Sequence, residues 1–159
     1  MQSATLTLDF LATAFVFGTT VWFFFIQAPV LLNKFGREKF VPIQMMLTRV
    51  LAPTLLVGTL VMLGAAVASS ADFSAPVITA AIAVLGAFVN AQFLIPRALR
   101  AGGRGHREIR GKDADASTVG FAADGVGEVT ATLHRLVVLC VVVMLAGVVP
   151  HALLLAGVL

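Results

Sequence analysis

Four long apolar stretches take up most of this chain, and they constrain its fold more than any motif does. They run over Leu6–Leu32, Val41–Ala68, Pro76–Ile95 and Val129–Leu159. A helix of about 20 apolar residues crosses a hydrocarbon core about 30 Å thick, and each stretch reaches that length. The sequence therefore predicts four membrane-spanning helices.

The composition also favours a membrane protein over a soluble domain. Hydrophobic residues make up 59% of the chain and charged residues only 12%, whereas soluble domains carry about 25% charged residues. Open sheets are excluded from lipid because their unpaired backbone groups would lack hydrogen bonds. We therefore expect an all-α, integral membrane four-helix bundle made of two antiparallel transmembrane hairpins.

The expected helices fill almost the whole chain, which leaves a single transmembrane domain over residues 1–159. They cover about residues 6–33, 41–69, 76–98 and 128–158, with a hydrophilic loop over about 99–127. Within that loop, residues 113–123 fit either a short interfacial helix or a loop without regular structure. Small residues at helical spacing in the third helix predict close helix contact; they are Ala80, Ala83, Ala87 and Asn90. The glycines that could allow the same approach are Gly58, Gly64, Gly86 and Gly147.

The basic residues fall in two of the three connections between the apolar stretches. Lys34, Arg37 and Lys39 lie in the first connection, and Arg97, Arg100, Arg104, Arg107, Arg110 and Lys112 lie in the third. Lys and Arg accumulate in cytoplasmic loops beside spans, so topology rather than nucleic-acid binding explains the pI of about 9.8. We expect a cytoplasmic (inner) membrane protein whose basic connections are cytoplasmic and whose two termini are outside.

Polar side chains within the spans gather near the basic connections and form the candidate ligand-binding site. They are Gln44, Arg49, Asn90, Arg97, Glu128 and His134. Asn90 and Arg97 are seven residues apart, which predicts that they share a helix face. Arg49 is the deepest charge, and Glu128 is its expected partner. The cluster is either an ion-paired plug, with Arg49 alternatively reaching lipid phosphate, or a ligand site open to the cytoplasm.

A second set of side chains in the fourth stretch gives weaker candidates for metal binding. Cys140, Met144 and His151 share one predicted helix face, where Met62 of the second stretch could join them, and sulfur with imidazole suits Cu(I). His134 and His151 are separated by about 25 Å of helix and cannot ligate one haem together. A proton relay through Asp9, His151 and His134 would lack intermediate groups in the apolar middle. We expect no catalytic residues and no bound cofactor, with copper or haem as the alternative.

Three motifs in order along the chain give it a resemblance to a known family. Phe35, Phe40, Gln44, Leu47 and Pro53 follow the first helix; Asn90 precedes a Pro96-Arg97 pair; and His134 opens the last helix. This order resembles the TMEM205-like (DUF4149) family of small four-helix membrane proteins. Position 95 departs from it, since Ile95 stands where that family often has an acidic residue.

The resemblance implies a four-helix membrane fold and no defined activity. With the polar cluster, it leads us to expect a non-enzymatic binding or transport-associated role. The alternatives are a metal- or haem-binding carrier or oxidoreductase, and an accessory subunit of a larger membrane complex. Expected partners are membrane lipids and a second copy or a larger complex, with no nucleic acid.

Overall fold

The computed structural model describes residues 2–69, 74–98, 100 and 123–158, and these ranges are helical except at Ser74 and residues 156–158, with no strand. The elements are α1 (Gln2–Val21), a π-helical segment (Trp22–Gln27), α2 (Ala28–Ser69), α3 (Ala75–Val89), a second π-helical segment (Asn90–Leu94) and α4 (Ala123–Leu155). The all-α prediction is confirmed. Helix α4 begins five residues before the expected start at 128. The alternatives for residues 113–123 lie outside the described residues.

Four parts of these helices are long and apolar enough to cross a membrane, as the sequence predicts. The spans are Ser3–Gly36, Met46–Ser69, Ala75–Ala98 and Arg135–Leu155, and we call them the first to fourth spans. Only 17% of the first span and 39% of the second is buried within the bundle. Large apolar side chains such as Phe10, Trp22 and Leu85 are exposed. This surface is suited to lipid rather than water, and the chain is a multi-pass membrane protein.

Gly36 marks the turn between the first and second spans. Its torsions, φ 69° and ψ 169°, are the non-helical ones within α2. An L side chain rarely adopts this region of torsion space, whereas glycine enters it readily because it has no Cβ. The chain therefore reverses direction at Gly36 and starts the second span without an intervening irregular loop.

Each π-helical segment lies just before a proline near the end of its span. The first segment ends at Gln27, ahead of Pro29, and the second ends at Leu94, ahead of Pro96. A proline cannot donate a hydrogen bond to the carbonyl four residues earlier. In the π segments the bonds shift by one residue, as in Ile95 N–H to Asn90 O. The wider hydrogen bonds therefore lie directly beside the carbonyls that the prolines leave without a helix donor, where a lipid environment requires other partners.

Close contact between α3 and α4 is made by small residues, which confirms the prediction from the small-residue pattern. Ala80, Ala83 and Ala87 are buried. A Cβ placed on Gly86 would lie 2.8 Å from Cys140 O and Met144 N, both in the α4 backbone. The two backbones thus touch directly, and this contact fixes the depth at which α4 side chains meet α3.

The apolar core runs between all four helices and divides the bundle into two ends. Met62 of α2 and Val148 of α4 are fully buried, together with Val16 of α1 and Ala80 of α3. The basic end contains Gly36, Met46 and Ala98, beside the basic connections. The opposite end contains Asp9, Pro76 and His151, which lie together, and we call it the Asp9 end.

Candidate functional site

Two ionisable side chains, Asp9 and His151, lie against each other in the interior of the Asp9 end. Asp9 is 1% exposed and His151 is 0% exposed. Asp9 lies about two turns into the first span, and His151 lies four residues before the end of the fourth span. An ionisable group at membrane depth is costly unless it is paired. The pair therefore stands as the strongest functional candidate among the described residues.

The hydrogen bonds of His151 join the first, third and fourth spans. Its Nε2 lies 2.8 Å from Asp9 Oδ1. Its Nδ1 lies 3.0 Å from the Pro76 carbonyl oxygen and 3.2 Å from the Thr79 hydroxyl oxygen. Both ring nitrogens therefore have partners, and the imidazole ties α4 to both α1 and α3.

These contacts restrict where the protons can be. A carbonyl oxygen only accepts, so the bond to Pro76 O requires a proton on His151 Nδ1. Nε2 then either carries a second proton and donates to an Asp9 carboxylate, or accepts a proton from a neutral Asp9 carboxyl. In both cases the pair has no net charge, which is the form that a membrane interior favours.

Thr79 offers a second hydrogen-bond arrangement. Its hydroxyl donates within its own helix to the carbonyls of Ala75 and Pro76, each 3.0 Å away. Rotated toward His151, the same hydroxyl would donate to a bare Nδ1 at 3.2 Å. Nε2–H would then donate to the Asp9 carboxylate. This arrangement holds one proton fewer than the first, so the site has partners for two protonation states.

One oxygen of Asp9 lacks a partner. Oδ2 is buried and accepts no hydrogen bond from any residue that the structure describes, and Oδ1 receives a long contact of 3.5 Å from the Thr13 hydroxyl. Buried polar atoms in native proteins are nearly always hydrogen-bonded. Among the described residues, Asp9 Oδ2 is therefore a free acceptor, beside the imidazole, for a proton or for another hydrogen-bond donor.

The weaker metal candidates lie near this pair, but His151 is already engaged. Met144 and Met62 are buried in the same apolar cluster, and Cys140 is half-buried. Metal binding at His151 would require breaking one of its hydrogen bonds. Within the described ranges no three His, Cys, Asp or Glu side chains converge on one point. Cys140, Met144 and His151 stay a prediction from sequence.

The predicted ligand residues at the basic end are not all directed into one place. Gln44 Oε1 and Asn90 Oδ1 are buried, with no partner among the described residues. Arg49 and Arg97 are exposed. Arg97 lies along its own helix, with its guanidinium 5.7 Å from the Phe93 ring centroid. Asn90 is buried and Arg97 exposed because the π segment between them breaks the seven-residue repeat that the sequence interpretation assumed.

Arg49 instead lines a groove between the second and third spans, which we call the basic groove. Its volume is about 430 Å³. The lining residues are Arg49, Ala52 and Pro53 on one wall and Ala91, Gln92, Ile95, Pro96 and Arg100 on the other. Arg100 belongs to the site although the sequence interpretation placed it only in a connection. The side chains of Glu128 and His134 lie outside the described residues, so their roles stay predictions.

Asp9 and Thr79 are absent from the ligand set that the sequence predicted. His151 entered as a metal candidate and, with Asp9, in a proton relay that the sequence argued against. Asp9 and His151 are 142 positions apart, and no local spacing connects them. One feature of the sequence nevertheless points to this pair. Asp9 is the one ionisable residue of the first apolar stretch, His151 is the one ionisable side chain after Cys140 in the fourth, and antiparallel helices place both at the same end.

Thr79→Val tests how the hydroxyl is used in the neutral arrangement. We expect a loss of about 1 kcal/mol or less in the free energy of unfolding, since the hydroxyl there bonds only carbonyls of its own helix. Unfolding in mixed detergent micelles measures it. Thr54→Val is the matched control, because Thr54 also bonds a carbonyl of its own helix and is exposed. A loss several times that of the control would mean that the hydroxyl already serves His151.

The comparisons with known proteins give one match. The model of a family described as a domain of unknown function, DUF4149, matches residues 11–107. No curated protein and no solved structure matches the chain. The matched range begins at residue 11, within the first span, and includes the second and third spans, the basic groove and Thr79, whereas Asp9 and His151 lie outside it.

Proposed function

Since the chain belongs to the DUF4149 family, whose function is unknown, we propose from its geometry a non-enzymatic, binding or transport-associated role in a membrane. Asp9, His151 and Thr79 form its proton-binding site. Gain and loss of one proton there changes how the third and fourth spans are held together.

The unpartnered Oδ2 of Asp9 is the observation that carries this proposal. A pair that served only to fix the helices would satisfy both carboxylate oxygens, because an unpaired buried acceptor costs about 1–3 kcal/mol. Here Oδ2 is buried and has no hydrogen-bond partner in the described part of the chain, whereas Oδ1 lies 2.8 Å from His151 Nε2. Proteins retain the cost of an unpaired buried acceptor at sites where a side chain has to change its protonation state.

The proton step balances within the three side chains. In the neutral arrangement His151 Nδ1–H donates to Pro76 O, and one proton lies between Nε2 and Asp9. On release, the Nδ1 proton leaves to water at the Asp9 end. The Thr79 hydroxyl turns from its helix carbonyls to donate to Nδ1, and Nε2 keeps its proton toward Asp9. The bond from His151 to the Pro76 carbonyl is thereby replaced by one from the Thr79 hydroxyl, which changes the residue of α3 that holds α4.

The proposed orientation of the protein in the membrane follows from its basic connections. With Lys and Arg on the cytoplasmic side of an inner membrane, both termini and the Asp9 end face outward. Gln44, Asn90, Arg97, Glu128 and His134 then belong to a binding region on the cytoplasmic half. Proton binding at one end and ligand binding at the other is the arrangement that a transport-associated protein needs.

Infrared and nitrogen-15 spectroscopy of the protein in lipid nanodiscs tests the proton site. Histidine labelled with nitrogen-15 reports which His151 nitrogen carries a proton, and the carboxyl band reports Asp9. We expect His151 Nδ1 to lose its proton as pH rises while the bundle stays helical. Asp9→Asn is the matched control, because its amide keeps a donor toward Nε2 and cannot ionise.

The outcome separates a proton site from a structural bond. If the His151 signals stay constant over the whole pH range in which the bundle remains folded, the proton is fixed and the proposal is wrong. It is also wrong if Asp9→Asn titrates as the unmodified protein does, since the carboxyl then takes no part.

A further inference from the structure

We propose that the basic groove binds the phosphate of an anionic phospholipid from the surrounding membrane. The groove lies at the end of the bundle away from Asp9, so the assignment does not depend on the proton site. Its two walls come from different spans, and each wall carries one exposed guanidinium, Arg49 and Arg100.

The charges of the groove are uncompensated in the described part of the chain. The one ion pair among those residues joins His151 and Asp9, and neither Arg49 nor Arg100 has a carboxylate or other hydrogen-bond partner there. Arg49 lies three residues inside the second span. An arginine at this depth needs an anion within reach of its side chain.

The remaining lining suits the part of a lipid next to its phosphate. Ala52 and Ile95 form an apolar floor, which is buried against Val137 of α4. Pro53 and Pro96 add apolar surface and contribute no N–H donor. A phospholipid with its phosphate at the mouth of the groove, and with its glycerol and first methylene groups over the floor, would match this division between charge and apolar surface.

A phosphodiester fits the two guanidinium groups better than other anions of the membrane surface. Guanidinium binds phosphate oxygens through two parallel hydrogen bonds, and lysine does not offer that geometry. A free phosphate shares this chemistry, but the groove is bordered by exposed apolar side chains such as Val50 and Phe93. These side chains face acyl chains, so we assign the site to a lipid.

Native mass spectrometry of the detergent-purified protein tests the assignment. The probes are phosphatidylglycerol, phosphatidylcholine with the same acyl chains, and inorganic phosphate as a competitor. Arg49→Gln/Arg100→Gln removes both groove cations. Lys34→Gln/Arg135→Gln is the matched control, since it removes the same charge from exposed residues at the basic end that do not line the groove.

We expect the groove variant to bind phosphatidylglycerol about tenfold more weakly, and the control about twofold or less. Both variants should retain the helicity and thermal midpoint of the parent, because the four substituted residues are exposed. Equal losses in the two variants would show that only the overall charge attracts the lipid, and the groove would carry no site. Equal affinity for phosphatidylcholine, or displacement of phosphatidylglycerol by inorganic phosphate, would overturn the assignment to an anionic lipid.

Discussion

Asp9→Val lowers the free energy of unfolding of the bundle by about 3–5 kcal/mol, because it removes one partner of a buried hydrogen-bonded pair. His151 Nε2 would then face an apolar side chain with no acceptor within the bundle. His151→Leu should cost a similar amount, since it leaves Asp9 with only the long 3.5 Å contact from the Thr13 hydroxyl. Reversible unfolding in mixed detergent micelles measures each variant.

The double variant Asp9→Val/His151→Leu gives the decisive comparison. With both polar groups replaced by apolar ones, no buried atom of the pair is left unsatisfied, and such replacements are often neutral or stabilising. We expect the double variant to be more stable than either single variant, while the proton-dependent signals vanish. Additive losses would contradict the 2.8 Å bond between the two side chains.

Gly147→Ala should destabilise the bundle by about 1–3 kcal/mol through overpacking. A Cβ on Gly147 would lie 2.5 Å from both Ala83 N and Thr79 O. These are backbone atoms of α3, which cannot rotate away as a side chain can, so the two helices have to separate. The same unfolding measurement gives the loss.

Gly64→Ala is the matched control, because a Cβ there meets nothing within 4 Å. It should leave stability unchanged or raise it by about 0.5–1 kcal/mol, since alanine favours helix over glycine. Gly147 also lies one turn before His151, so Gly147→Ala should disturb the Nδ1 bond to Pro76 O. A Gly147→Ala protein as stable as Gly64→Ala, with unchanged His151 signals, would exclude the direct backbone contact.

The spans could be predicted from sequence because lipid imposes a simple rule on length and apolarity. The small residues of α3 were also predictable, since Ala80, Ala83 and Ala87 recur at helical spacing and face one neighbour. The register of the third span could not be predicted from the sequence. A π segment inserts a wider turn between Asn90 and Arg97, and the seven-residue spacing assumed an α-helix throughout.

The residues of the candidate sites also divide into those that the sequence identifies and those that depend on how the helices pack. Arg49 stood out because a charge deep in a span is costly wherever it points. Arg100 joins it only through the way the second and third spans pack, which the sequence does not encode locally. The partner of Asp9 depends on a contact between the first and last helices, and local spacing carries no information about such a contact.

The contact between Asp9 and His151 also has a consequence for how the protein is assembled. A ribosome delivers the first span to the membrane before the others, so Asp9 enters long before His151 has been made. The early chain therefore carries a carboxyl without its imidazole partner, which is costly at membrane depth. Arrival of the fourth span supplies the imidazole and completes the bundle. The fourth span is thus the one that closes the bundle.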